Sequence, residues 1–295
     1  MLNIRHFIVD PDDGDTRLHY AAFDGDLDKL TELLSEPERK QCINRRVRPF
    51  GATPIRLAAT SGSYSCIEYL IENGADVEIV DVKGQTPLFV AVQKNFVDCA
   101  RLLLENGADP NGSGRNRSSP LFIAAKDGYV DCVKLLLKYG ADTELIDKSL
   151  EIPGFPLYIA AIYQHYECYT ALLLAGAETD LRRVVPSLLP SKYAQISLSH
   201  ALVRHCCPAI YAKLFVEFGG YLWQKDLEGL LVTELNKDNS CKAYFQEIIS
   251  MPLRLQSICR IAIRRWMGRA KLDKILKLPL PLYLLDYLLY TDLIK

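Results

Sequence analysis

Residues 86–109 read TPLFVAVQKNFVDCARLLLENGAD, and the chain on either side repeats them. Residues 53–76 read TPIRLAATSGSYSCIEYLIENGAD, and residues 119–142 read SPLFIAAKDGYVDCVKLLLKYGAD. The three copies align without gaps. Pro54, Pro87 and Pro120 are 33 residues apart, as are Gly74, Gly107 and Gly140. A fourth copy, FPLYIAAIYQHYECYTALLLAGAE, begins at Phe155, 36 residues after the third. A degenerate first copy begins at Thr16 without the proline, followed by a longer link over residues 35–52. A weak sixth copy over residues 197–219 keeps the ending and loses the opening. A fixed period of this length marks an array of supersecondary units.

Each position of the unit has a physical reading. Thr or Ser before Pro offers an N-cap followed by a proline in the first helical position. Paired small residues such as Ala58-Ala59 and Ala124-Ala125 let helices approach closely. The second helix runs to an apolar triplet, Leu102-Leu103-Leu104 in the quoted copy, and Gly follows where a helix end takes a left-handed residue. Residues 80–85 make an extended turn to the next copy. A single unit has no core of its own and is expected to fold only against its neighbours. Period, Thr-Pro-Leu and Gly-Ala-Asp together resemble the ankyrin repeat. The resemblance implies an all-α solenoid of about six helix-turn-helix repeats, with projecting turns and a concave face.

The repeat also accounts for four of the nine cysteines. Cys66, Cys99, Cys132 and Cys168 each stand eight residues before the repeat glycine, a position suited to small buried apolar groups. Cys206-Cys207 lacks an accompanying CxxC pair, so packing is favoured over zinc. An odd cysteine count behind an N-terminus that does not read as a signal peptide suits reduced thiols, and the expected localisation is cytoplasmic or nuclear. The net charge of -1 argues against general nucleic-acid binding. No window offers the roughly 18 uninterrupted apolar residues of a membrane span. His6, His19, His165, His200 and His205 show no metal spacing, and there is no P-loop, GxGxxG or GxSxG. No catalytic residue, cofactor or metal is expected.

The last stretch, residues 251–295, is more apolar than a free terminus normally is. Leu255, Cys259 and Ile263 fall at i, i+4 and i+8 on one helix face, within a wider pattern that includes Ile258, Ala262 and Trp266. Fifteen residues after Ile263 comes Leu278-Pro279-Leu280-Pro281, then Leu285, Tyr287 and Leu288. With Pro252-Leu253 ahead of it, the first pattern resembles the elongin-binding box of the SOCS box. The second resembles that module's cullin-5 box, whose core is Leu-Pro-x-Pro. The whole chain resembles the ankyrin repeat and SOCS box family, and within it the member-1-like and member-12-like branch. The expected organisation is an N-terminal segment (1–12), ankyrin repeats (13–222, strongest over 53–180), a connecting helical region (223–250) and a SOCS box (251–295). Within the transition, residues 184–190 read as a loop and 238–240 as a turn.

The resemblance implies a non-catalytic substrate receptor of an E3 ubiquitin ligase. Leu255, Cys259 and Ile263 would engage elongin C, which travels with elongin B. Leu278, Pro279, Leu280 and Pro281 would engage cullin-5 with its RING subunit. An unidentified protein substrate would sit on the ankyrin face. Trp266 and residues 284–289 are expected to pack within the module or on the last repeat. On the substrate face, the family's habit of binding through turn tips and first-helix ends points to Arg48, Phe50, Lys83, Arg115, Asn116, Lys94, Lys126 and Tyr163. The cationic turn around Arg115 and Arg117 favours an acidic partner segment. The family's first-helix histidine is kept at His19 and replaced by Arg56, Phe89, Phe122 and Tyr158, for which local packing is favoured over an exposed strip. Three rival readings accompany this one. They are a plain ankyrin scaffold whose tail only caps the stack, nucleic-acid binding by the basic tail face (Arg260, Arg264, Arg265, Arg269, Lys271, Lys274 and Lys277), and an enzyme whose site assembles only in three dimensions.

Overall fold

A computed structural model of the chain describes residues 15–147, 154–180, 197–226, 228–251 and 253–291. The N-terminal segment, His6 and the 184–190 loop lie outside the described residues. Among those described there are sixteen α-helices, one 3-10 helix and no β-strand, only isolated bridges at Val47–Ala52 and Lys225–Leu231.

The helices come mostly in pairs, as the repeat requires. They are α1 (Arg17–Asp24) with α2 (Leu27–Leu34), a short α3 (Pro37–Lys40) in the long link, α4 (Pro54–Ser61) with α5 (Tyr64–Glu72), and α6 (Pro87–Gln93) with α7 (Val97–Glu105). Then follow α8 (Pro120–Asp127) with α9 (Val130–Lys138), α10 (Pro156–Ile162) with α11 (Tyr166–Leu174), and α12 (Leu198–Arg204) with α13 (Ala209–Glu217). The capping logic holds atom by atom. The side chain of Thr53 accepts from Arg56 N, that of Thr86 from Phe89 N, and that of Ser119 from Phe122 N. Phe155 cannot do this, and α10 starts on its proline alone.

The chain divides into two compact units. One holds the described residues up to 124 with Lys134–Asp142 and Asp147; the other holds Ala125–Val133, Thr143–Ile146 and the described residues from 154 on. In the first, Val47, Ala52 and Leu57 form a buried cluster flanked by Tyr20 and Phe23. All four repeat cysteines are buried, and burial pushes the Cys99 and Cys132 thiols up to about 11. Such thiols are packing groups rather than nucleophiles or ligands. The row that replaces the family histidine is internal too. Phe89, Phe122 and Tyr158 are buried, and the buried Arg56 holds Asp81 at 2.6 Å.

After the last pair come α14 (Ser240–Ser250), α15 (Leu255–Met267), the 3-10 helix (Arg269–Lys277) and α16 (Leu282–Leu288). The turn expected at 238–240 is the start of α14, with the Asn239 side chain accepting from Lys242 N. Met267, Ile275, Leu285 and Leu288 make a small core for the C-terminal module, with Leu272, Leu278 and Leu289 packed on it.

Candidate partner-binding faces

Helix α15 is amphipathic in the usual way and oriented in an unusual one. Its buried residues are Ser257, Arg260, Ile261, Arg264 and Met267. Its apolar stripe faces solvent, with Leu255 74% exposed, Ile258 48%, Ile263 37% and Trp266 85%, and with Cys259 exposed among them. The sequence expectation for Trp266 is therefore corrected. It continues the exposed stripe instead of packing inward, and the signal was its spacing, three residues after Ile263 and eleven after Leu255. Leu284 also stays at the surface, while its neighbours Leu285 and Leu288 enter the small core.

The inward face is held by arginines, all with partners in the same unit. Arg260 reaches Glu217 at 3.0 Å, donates to Tyr287 O at 3.1 Å and lies 3.8 Å over the Tyr287 ring. Arg264 donates to Leu288 O at 3.0 Å and to Leu174 O at 2.9 Å, beside the Tyr290 ring. Tyr290 in turn stacks on Phe218 at 3.8 Å and donates its hydroxyl to Glu217 O. Buried cations persist only when paired and hydrogen-bonded, and here carbonyls, a carboxylate and aromatic faces supply both needs. Arg265 and Arg269 add bonds to Gly219 O at 2.7 Å and Thr143 Oγ1 at 2.6 Å. Arg260 and Arg264 are thus internal anchors, which removes them from the solvated basic face considered for nucleic acid.

The close approach is permitted by two repeat glycines. A Cβ on Gly176 would lie 2.8 Å from Arg269 Cγ, and one on Gly219 would lie 2.8 Å from Ile261 Cγ2. The equivalent Gly74, Gly107 and Gly140 have open space at that position. The glycine that ends a repeat helix elsewhere becomes, in the last two copies, the surface on which the tail rests.

The second motif is split. Leu278 packs on the small core, whereas Pro279, Leu280 and Pro281 are exposed, continued by exposed Leu282 and Tyr283. On the ankyrin side, Arg48, Lys83, Lys94, Arg115 and Tyr163 are exposed, and Phe50, Asn116 and Lys126 are half-buried. Six of these eight lie in the first unit. In the second, the Tyr163 ring stacks with His165, whose Nε2 pairs with Lys126 O at 2.9 Å. His19 Nε2 is engaged by Arg45 O, and His200 is buried between Ser197 and Leu230 O. Among the described residues no group of His, Cys, Asp or Glu is arranged to hold a metal ion, and no helix is long and apolar enough to cross a membrane.

These features define a repeat-built binding protein that ends in a helical module with an outward apolar stripe. Comparison with known proteins agrees. The family described as ankyrin repeats in three copies matches residues 18–114 and 111–183, and the SOCS box matches residues 251–289. The chain is 42% identical to mouse ankyrin repeat and SOCS box protein 1 over 297 residues, covering 94% of this chain and 88% of that protein. It is 43% identical to human ankyrin repeat and SOCS box protein 12 over 70 residues, 23% of this chain and 22% of that one. The solved ankyrin repeat domain of human ASB11 superposes with a TM-score of 0.61 at 26% identity, covering 81% of this chain and all of that domain. The chain belongs to the ankyrin repeat and SOCS box protein family. That architecture supports the role of substrate adaptor in a cullin–RING ubiquitin ligase.

Proposed function

We propose that this chain is the substrate receptor of an elongin B/C–cullin-5 RING ubiquitin ligase. The observation that carries the reading is the outward stripe of α15. A soluble helix normally buries such a stripe, and an exposed apolar patch marks a partner site. Leu255, Cys259 and Ile263 insert into elongin C, with Ile258 and Trp266 extending the contact, which is the helix-in-groove mode of recognition. Pro279, Leu280 and Pro281 face cullin-5, while Leu278 holds that loop to the module's core. The chain makes no bond itself. It raises the effective concentration of substrate lysines near the charged ubiquitin-conjugating enzyme. The nine free cysteines, several of them buried thiols, suit the cytoplasm or nucleus.

Co-expression with elongins B and C tests this. The wild type is expected to co-purify with both, and Leu255→Ala with Cys259→Ala to lose them, since anchors of this kind each carry about 2 kcal/mol or more. A wild-type chain that captures neither elongin overturns the reading and leaves an ankyrin scaffold.

A further inference from the structure

Three turn segments of the first unit, residues 45–51 (RRVRPFG), 82–85 (VKGQ) and 112–118 (GSGRNRS), contain five arginines, one lysine and no Asp or Glu. The structure joins them into one ridge. Val82 N donates to Phe50 O at 2.9 Å, which ties the first tip to the second. A Cβ on Gly84 would lie 2.6 Å from the carbonyl carbon of Arg115, so the second tip lies against the third. Arg46 Nε donates to Gly51 O at 3.3 Å, which holds that side chain along the ridge.

Five cationic side chains of the ridge, Arg46, Arg48, Lys83, Arg115 and Arg117, are exposed. The neighbouring acid, Asp81, does not offset them from outside. It is buried, with one carboxylate oxygen 2.6 Å from Arg56 and the other accepting from the backbone N–H groups of Lys83 and Gln85. Its work is to shape the tip. With adjacent tips in direct contact, these like charges share one face, and an acidic ligand there should bind in a salt-sensitive way. Among them Val82 is exposed and Phe50 half-exposed, so the ridge also offers apolar contact.

We infer that this ridge docks an extended acidic protein segment, rich in Asp and Glu with an apolar residue among them. The inference rests on the adaptor reading only in making that segment part of the substrate. A single-stranded nucleic acid fits less well, because such sites stack bases on exposed aromatic rings, and the ridge's one ring, Phe50, is half-buried.

The test uses the full chain, alone and mixed with elongins B and C, and a short fluorescein-labelled peptide of Glu and Asp with one central Leu, read by fluorescence anisotropy. Saturable binding that weakens as salt rises is expected. Arg115→Glu with Arg117→Glu should lower affinity about tenfold or more, as reversed charges at a complementary face do, and Lys134→Glu, an exposed cation on α9, should leave it unchanged. A matched Lys-rich peptide should bind neither form, since the double variant still carries Arg45, Arg46, Arg48 and Lys83. An unbound acidic peptide, equal affinity for the double variant, or binding of oligothymidylate in place of the peptide each overturns the inference. Elongin capture on the same preparations separates the two claims. Capture without peptide binding removes the acidic segment alone, and peptide binding by a chain that captures no elongin removes the adaptor reading alone.

Discussion

Helices α7 and α15 carry the same kind of stripe and turn it in opposite directions. In α7, Cys99, Leu102 and Leu103 go inward while Asp98, Arg101 and Glu105 meet water. In α15, Arg260 and Arg264 go inward while Leu255, Ile258 and Trp266 meet water. A period of 3.6 residues identifies two faces and does not say which is inside. What decides is the surface opposite. Helix α7 packs with α5 and α6, whose buried residues are mostly apolar, Ile67 and Leu70 on one and Leu88, Phe89 and Val92 on the other. Against α15 stand the carbonyls of Leu174, Gly219 and Leu288, the Glu217 carboxylate and the rings of Phe218, Tyr287 and Tyr290, all partners for guanidinium. The repeats bury their apolar stripes, while the tail helix α15 turns Arg260 and Arg264 inward beside Ile261 and Met267 and leaves Leu255, Ile258 and Trp266 in water.

The contrast can be broken most forcefully at Arg260. Arg260→Ala removes the partner of Glu217 and a side chain that is 2% exposed, and should cost about 3–5 kcal/mol, as breaking buried pairs does. Urea unfolding followed by far-UV circular dichroism reads it through the loss of the helices, since Trp223 and Trp266 are already exposed and would report little. A loss under about 0.5 kcal/mol, the range of ordinary surface changes, would mean that the arginines do not anchor the tail. Leu103→Ala, at a fully buried site in α7, should cost about 3 kcal/mol through lost burial and a residual cavity, measured by far-UV circular dichroism.

A smaller effect is expected from pH. Burial, only partly opposed by the bond to Leu230 O, holds His200 below its ordinary value of 6.5. The unfolded chain then binds the proton more readily than the folded one, so stability should fall as pH drops below about 6.5 and stay level above it. His200→Gln should flatten that slope in urea midpoints measured across the same range; an unchanged slope would place the dependence elsewhere.

The smallest stability change belongs to Leu255→Ala, within about 0.5 kcal/mol, because its side chain already lies in water. The same substitution should abolish elongin capture. Alkylation sharpens the point: Cys259 and Cys206 are exposed and should react, whereas Cys99 and Cys132, raised to about 11 by burial, should not. Elongins B and C should protect Cys259 alone; equal labelling of Cys259 with and without them would count against its place in that interface.

Much of this protein was legible because its information is local. Thr53 and Thr86 cap helices that begin one residue later, Gly74 and Gly107 follow the ends of the second helices α5 and α7, and a 33-residue period repeats the instruction until the unit cannot be mistaken. The two tail motifs were legible for the same reason, as patterns of a few residues at short spacing. The buried row of Arg56, Phe89, Phe122 and Tyr158 followed from its place in the repeat. What sequence alone left open depends on partners far along the chain. Arg269 meets Thr143 across 126 positions and Arg264 meets Leu174 across 90, and no local pattern records such pairs. The sequence by itself determined the repeats, their caps and the existence of an amphipathic tail. Only the tertiary structure decided that the tail lies on Gly176 and Gly219 with Arg260 and Arg264 inward, because guanidinium groups leave water only where carbonyls, carboxylates and aromatic faces have already been brought together to receive them.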